Sequence, residues 1–369
     1  MALIFTVIFI ALAFEYINGF HDTANSIATI VSTKVLSPRQ AILMAAVTNL
    51  VGAMLGTAVA QTISSGLVDA NLVPITSEIT IAALLGAILW NILTWWLAIP
   101  SSSSHALIGG LCGAALAAAH NDWKVIIWAQ PYGGHWWLGK GLLWKVIVPM
   151  VTSPLAGLIL GFIIMALLYL LLHNARPQKV NRFFGVAQVF SAASMGLMHG
   201  TNDAQKTMGI IALTLMSGTA AGHFNHLPSW LSFLHTAPPA PGKELDIALW
   251  IKIACAMTMA AGTAAGGWRI IRTLGHKMVK LHPINGFAAE TSSAVVIATA
   301  SALGIPISTT HNISASIMGV GAAKRFKAIK WSIVERMVWA WILTLPVTGA
   351  IAYCIVRIFE ALGWRQWPM

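Results

Sequence analysis

The sequence predicts an all-α, polytopic membrane protein made of two repeats with inverted topology, and three observations predict it. Hydrophobic residues make up 57% of the 369 residues, charged ones only 9%, and mean hydropathy is +0.76, whereas a soluble domain carries about 25% charged residues. The apolar residues gather into long runs, several above the roughly 20 residues a helix needs to cross a bilayer. Inside those runs two polar motifs each occur twice. Gly19-Phe20-His21-Asp22-Thr23-Ala24-Asn25 returns as Gly200-Thr201-Asn202-Asp203-Ala204-Gln205-Lys206, and Pro100-Ser101-Ser102-Ser103-Ser104-His105 returns as Pro306-Ile307-Ser308-Thr309-Thr310-His311.

Bounding the apolar runs by their polar gaps gives ten embedded segments, at 3–33, 40–62, 78–99, 101–119, 142–172, 184–218, 247–268, 285–304, 305–322 and 334–360. The first lacks a positively charged leading region and reads as a retained span, not a cleaved signal. The segments 3–33 and 184–218 carry the Asp motifs and contain Gly19 and Gly200, which predicts helices broken at those glycines. The pairs 78–119 and 285–322 have almost no room to turn, so each is either a re-entrant hairpin with its polar tip near the midplane or a pair of full crossings. Both choices return the chain to the same side.

Basic residues set the orientation. Lys34 and Arg39; Arg176, Lys179 and Arg182; Arg269, Arg272, Lys277 and Lys280; and Lys324 to Arg336 fall in four connections, while 61–77 has no Lys or Arg. The positive-inside rule places those connections in the cytoplasm. The organisation expected is a first transmembrane repeat at 1–172, a cytoplasmic linker at 173–183 and a second repeat at 184–369 with a polar loop at 219–246. The formal charge of +11 reads as basic loops of a multi-pass protein of the cell's inner (plasma) membrane, not as a nucleic-acid surface. Cys112, Cys255 and Cys354 lie in apolar segments, which argues against a disulfide framework or a metal cluster.

Register relates the halves. The Asp motifs are offset by 181 residues (22 to 203) and the His motifs by 206 (105 to 311), and Gly56-Thr57-Ala58 matches Gly262-Thr263-Ala264 at 206 as well. The additional residues are expected in the polar loop 219–246, where insertions are tolerated.

An aspartate in apolar sequence is expensive unless it serves a function, and two of them beside hydroxyl clusters point to an ion pathway. Ser103, Ser104, Thr309 and Thr310 follow prolines where new helical arms begin, and a hydroxyl-lined helix N-terminus offers N–H and O–H donors and a favourable dipole to a tetrahedral oxyanion. The bland alternatives are that these hydroxyls only cap the arms and that the aspartates cap the second halves of broken helices.

The pair of Gly-x-x-Asp-x-x-Asn/Lys motifs, with the pair of Pro-x-Ser-Ser/Thr-Ser/Thr-His motifs, resembles the inorganic phosphate transporter (Pit or PHO4) family, in particular its bacterial low-affinity members. The resemblance runs through 10–120 and 185–325. It implies phosphate as substrate at Ser103, Ser104, Thr309 and Thr310, with Asp22 and Asp203 binding a coupling cation and Asn25 and Asn202 helping to hold cation or phosphate. Sodium-coupled members carry a motif like Gly-Ala-Asn-Asp-x-x-Asn in both halves. Here His21 and Lys206 replace two of its asparagines. Lys206, three residues after Asp203, shares its helical face and can stand in a sodium ion's place; histidine, at position 21, is a residue type that can exchange a proton. Both changes resemble a proton-coupled branch, although a static ion pair and a plain hydrogen bond explain them too.

Glu290 is a further candidate for the coupling ion, ranked with Glu15 below the aspartates; their matching positions in the other halves are Leu84 and Gly196. His105 and His311 are expected to orient the tips, and Asn91, Gly52, Gly56 and Gly262 to pack helices. The expected function is symport of inorganic phosphate into the cell with H+ favoured over Na+, as the bare ion or as a neutral complex of a divalent metal with hydrogen phosphate, with no cofactor beyond the coupling ion. A sulfate permease of the same superfamily is the alternative. An intramembrane hydrolase is remote, since one activated nucleophile needs no duplicated cluster. Pairing as a homodimer is left open.

Overall fold

The computed structural model describes residues 2–69, 71–132, 135–225, 228–237 and 246–363. Among these residues regular structure is helical except for one small β-hairpin, as a backbone without water partners requires. In chain order they form α1 (Ala2–Ser32), α2 (Pro38–Ala53), α3 (Ala58–Ser65), α4 (Ser77–Trp96), α5 (Ser103–Ala118), β1 (Gln130–Tyr132), β2 (His135–Lys140), α6 (Val148–Leu172), α7 (Pro177–Ala220), α8 (Leu249–Ala265), α9 (Trp268–Arg272), α10 (Pro283–Ala302), α11 (Thr309–Lys324) and α12 (Trp331–Ala361). Among the described residues four helices are each long and apolar enough to cross a membrane, and the bent pairs α2–α3 (70°) and α8–α9 (59°) raise the number to six if each is one span. Of the expected polar loop 219–246, residues 226–227 and 238–245 lie outside the described residues.

The expected breaks at Gly19 and Gly200 are absent: α1 and α7 run through them without interruption. A methyl group at Gly19 would stand 2.4 Å from the Met259 carbonyl oxygen, and one at Gly200 2.3 Å from that of Asn49. These glycines let backbones touch, which is a packing role. The breaks lie in the helices they touch, at Gly56 (φ +79°) and Gly266 (φ +73°), where the left-handed backbone that glycine permits ends a helix. α7 also begins at Pro177, inside the stretch expected as linker, because proline suits a first helical turn.

The same contacts correct the register. Gly52 packs against the carbonyl of Leu197 and Gly262 against that of Tyr16, and Leu197 lies 181 residues after Tyr16, the offset of the Asp motifs. Gly52 and Gly262 are therefore counterparts, offset by 210, whereas Gly56 stands at a break and Gly262 inside α8. Packing partners alternate between the halves of the chain: α2 lies on α7 and α8 on α1, α6 on α11 and α12 on α5. α4 with α5, and α10 with α11, form the two expected hairpins, and their tips meet in the interior. At one end of the bundle a cavity of about 490 Å³ is lined by residues including His173, Pro177, His282, Asn285 and Lys324. Several basic connections thus share that end, where burial first, then Lys324 and Lys280, hold His282 below its usual pKa.

Candidate anion and cation site

Each hairpin tip is built by its own cap. Ser102 accepts a hydrogen bond from the His105 amide and Ser308 one from the His311 amide, both at 3.1 Å, so Ser103, Ser104, Thr309 and Thr310 occupy the first turns of α5 and α11. All four are at most 3% exposed. The tips approach each other through His105 and His311, whose rings lie 5.0 Å apart edge to face, and His311 stacks on Trp341 of α12 at 4.2 Å.

The two long helices bring the acids to these tips. On α1, Asp22 Oδ1 accepts from His21 Nδ1 at 2.7 Å and from Thr310 Oγ1 at 3.2 Å. His21 Nε2 lies 3.1 Å from Thr94 Oγ1, which lies 2.8 Å from Ser101 Oγ of the first tip. Asn25 Nδ2 donates to Thr309 Oγ1 at 3.1 Å and to Thr310 Oγ1 at 2.9 Å. On α7, Asp203 Oδ1 is ion-paired with Lys206; its Oδ2 accepts from Thr309 Oγ1 at 2.9 Å and lies 3.0 Å from His199 Nε2. Lys206 Nζ also donates to Ser104 Oγ and, at 3.0 Å, to the Ile307 carbonyl, so it joins both tips. Neither aspartate caps a helix end, since both helices continue through them.

Two sequence candidates lie away from this centre. Asn202 Nδ2 donates to Ser301 Oγ at 2.9 Å and to the Ile305 carbonyl at 3.3 Å, at the far end of α10. Glu290 accepts from Thr29, Ser191 and Gln188, and Thr29 is two helical turns beyond Asp22, about 10 Å along the axis. Sequence reasoning missed three residues. His199 is one turn before Asp203, a buried histidine at the spacing of an ion pair. Asn49 fixes it, with Oδ1 3.1 Å from His199 Nδ1 and Nδ2 donating to Thr263 Oγ1 at 3.1 Å. Thr94 has no signal beyond being a hydroxyl in an apolar run.

Ligand atoms of Asp22, His199 and Asp203 all lie within 4.8 Å of one another, a donor set that suits a small cation. Around it stand hydroxyls, an amide and one fixed ammonium; Ser103 Oγ, Asn25 Oδ1 and Asn202 Oδ1 have no protein partner. Carboxylates, hydroxyl-lined helix N-termini and a buried cation, gathered where helical hairpins meet inside an apolar bundle, define a membrane transporter for a small anion. Residues 18–352 match the model of the phosphate transporter family, PHO4, and the chain belongs to that family. It is 44% identical over 361 residues to a Bacillus subtilis protein named "Probable low-affinity inorganic phosphate transporter", covering 96% of this chain and 98% of that one. A Rhizobium meliloti protein of the same name is 42% identical, covering 93% and 92%. Among solved structures, "The sodium-dependent phosphate transporter" shares the fold at TM-score 0.78 and 22% identity, over 98% of this chain and 100% of that one. The chain is thus a multi-pass membrane protein of a phosphate transporter family and not an enzyme, which sets aside the hydrolase alternative.

Proposed function

We propose that the chain imports inorganic phosphate by symport with protons, and that Lys206 replaces a coupling sodium ion. The observation that carries this reading is the ammonium of Lys206, paired with Asp203 and bonded to Ser104 and to the Ile307 carbonyl between the two tips. An ammonium there lies against Asp203 and stands where a coupling sodium ion would otherwise sit. Phosphate would bind against Lys206, the unpartnered hydroxyl of Ser103, and Ser104, Thr309, Thr310 and Asn25, which would exchange the hydrogen bonds they now make with one another, with Lys206 and with the aspartates. Asp22, bonded among the described residues to His21 and the Thr310 hydroxyl, would be the acid whose charge follows the coupling ion, with Glu290 two turns further along. Asn202 would act at the edge of the site. The crosswise packing of α2 with α7 and α8 with α1 supports inverted repeats at 1–172 and 184–369 that rock against each other, each hairpin tip opening the site to one side. Phosphate uptake into proteoliposomes under imposed H+ or Na+ gradients tests this. Accumulation driven by H+ alone is expected, and an absolute need for Na+ would overturn it.

The cluster of Asp22, His199 and Asp203 supports a second reading in which the cargo is a divalent metal with hydrogen phosphate. Labelled metal should then enter together with phosphate, and phosphate uptake that is indifferent to removal of all divalent metal would refute it.

A further inference from the structure

Glu15 is a buried acid that the reading above does not use. It is 0% exposed and lies on α1 two turns before Asp22, about 10 Å along the axis. Its Oε2 accepts from Thr207 of α7, the residue after Lys206. Among the described residues no donor lies within hydrogen-bonding geometry of its Oε1 or of Oδ1 of Asn18, one turn further along α1, and Asn18 is the neighbouring side chain within reach of the carboxyl. Two neighbouring buried acceptors without a donor are costly where water does not reach. One proton resolves both. On Oε1 it makes the carboxyl a donor, and Asn18 Oδ1 is an acceptor on the same helical face. The ionisable groups that face Glu15 are Asp203 and Lys206 from α7 and Cys255 from α8. No described ion pair includes it.

We infer that Glu15 is a proton-carrying site of the transport cycle, on the α1 N-terminal side of the phosphate site. The inference rests on the proton-coupled reading of that site. Loading forms the Oε1–H bond with a proton from water on one side. Unloading breaks it, leaves the carboxylate, and returns the proton to water on the other side after the hairpins have rocked. Coupling to phosphate is electrostatic. The charge of Lys206 is already offset by Asp203, so an anion bound there adds net negative charge on the Glu15 side and makes a negative carboxylate less favourable, and bound phosphate holds the proton as the bound proton holds phosphate.

The test uses the whole protein in proteoliposomes. For Glu15→Gln, accumulation of labelled phosphate under an inward proton gradient is expected to fall by about tenfold or more, while exchange of labelled for unlabelled phosphate, which needs no net proton movement, continues. In phosphate-induced infrared difference spectra the parent should show a protonated-carboxyl band that Glu15→Gln lacks and Thr207→Val shifts. Parental accumulation in Glu15→Gln, or survival in it of every protonated-carboxyl band that the parent shows, overturns the assignment. If Glu15→Gln neither accumulates nor exchanges, Glu15→Asp decides: recovery of proton-driven accumulation supports the site and no recovery overturns it. A parent that ignores the proton gradient and requires Na+ defeats the proton-coupled reading itself, whereas a proton-driven parent with an unaffected Glu15→Gln defeats only the role of Glu15.

Discussion

Asp22 and Asp203 hold the same place in their motifs and the same burial in two long helices, yet their electrostatic surroundings differ. Asp203 carries its own cation, Lys206, with His199 beside its second oxygen. Asp22 has an imidazole and a hydroxyl. A carboxylate inside a membrane protein needs a compensating charge; the second copy brings one in its sequence, and the first has to obtain one from a proton, a metal or the cargo. On this account the duplicated scaffold has divided its work, with one half holding a fixed charge that anchors phosphate and the other holding the charge that moves.

The largest expected effect comes from breaking that division. Asp203→Asn leaves the ammonium of Lys206 buried without its partner, a loss of about 3–5 kcal/mol of stability, and uptake is lost with it. Asp22→Asn should cost only about 1 kcal/mol, one hydrogen bond exchanged for a weaker one, while gradient-driven uptake still disappears. Thermal unfolding in detergent beside uptake in proteoliposomes separates the two. Equal destabilisation would erase the asymmetry, and normal accumulation by Asp22→Asn would make that aspartate structural.

A smaller effect is expected at the tips. Ser104→Ala and Thr310→Ala each remove one hydroxyl that can donate to a charged acceptor, worth roughly 1.5–3 kcal/mol of phosphate binding. Binding isotherms of the double variant check this, and unchanged affinity would take the tips out of the site. Smaller still are changes in what the halves share. Gly52→Ala and Gly262→Ala drive a methyl group to about 2 Å from a carbonyl oxygen of the partner helix, and each should lose a similar 1–3 kcal/mol or so. At Gly185, which has nothing within 4 Å, alanine should change stability by no more than about 0.5 kcal/mol. A loss confined to only one of Gly52 and Gly262 would show that the crosswise packing is not equivalent.

The helical membrane class and the paired arms were legible in the sequence, because apolar run length and proline position are local signals, and motif duplication marked the residues that gather at one centre, where Thr309 and Thr310 bond the two aspartates. The pairing of Lys206 with Asp203 was legible for the same reason, since a three-residue spacing fixes a shared helical face. The position of the breaks was not. Glycine serves equally for ending a helix and for letting two helices touch, and only the neighbouring backbone decides; at Gly19 and Gly200 it is the touching, and the breaks fall at Gly56 and Gly266. The false match of Gly56 with Gly262 has the same origin, because small residues recur wherever helices pack closely. His199, Asn49 and Thr94 escaped because their roles depend on contacts made from separate helices, and Asn202 was placed in the site by its motif although its side chain turns toward α10.

The central claim is that Lys206 takes the place of a coupling sodium ion, and the sodium dependence of phosphate binding tests it most directly. Binding to the purified parent should be the same in sodium and in choline buffers. Lys206→Asn, alone and with His21→Asn, should lose affinity in choline buffer and regain it as Na+ is added, because removing a buried positive charge beside an anion weakens binding unless another cation replaces it. A parent that binds phosphate only when Na+ is present would contradict the account, as would a Lys206→Asn protein that binds as tightly as the parent without sodium.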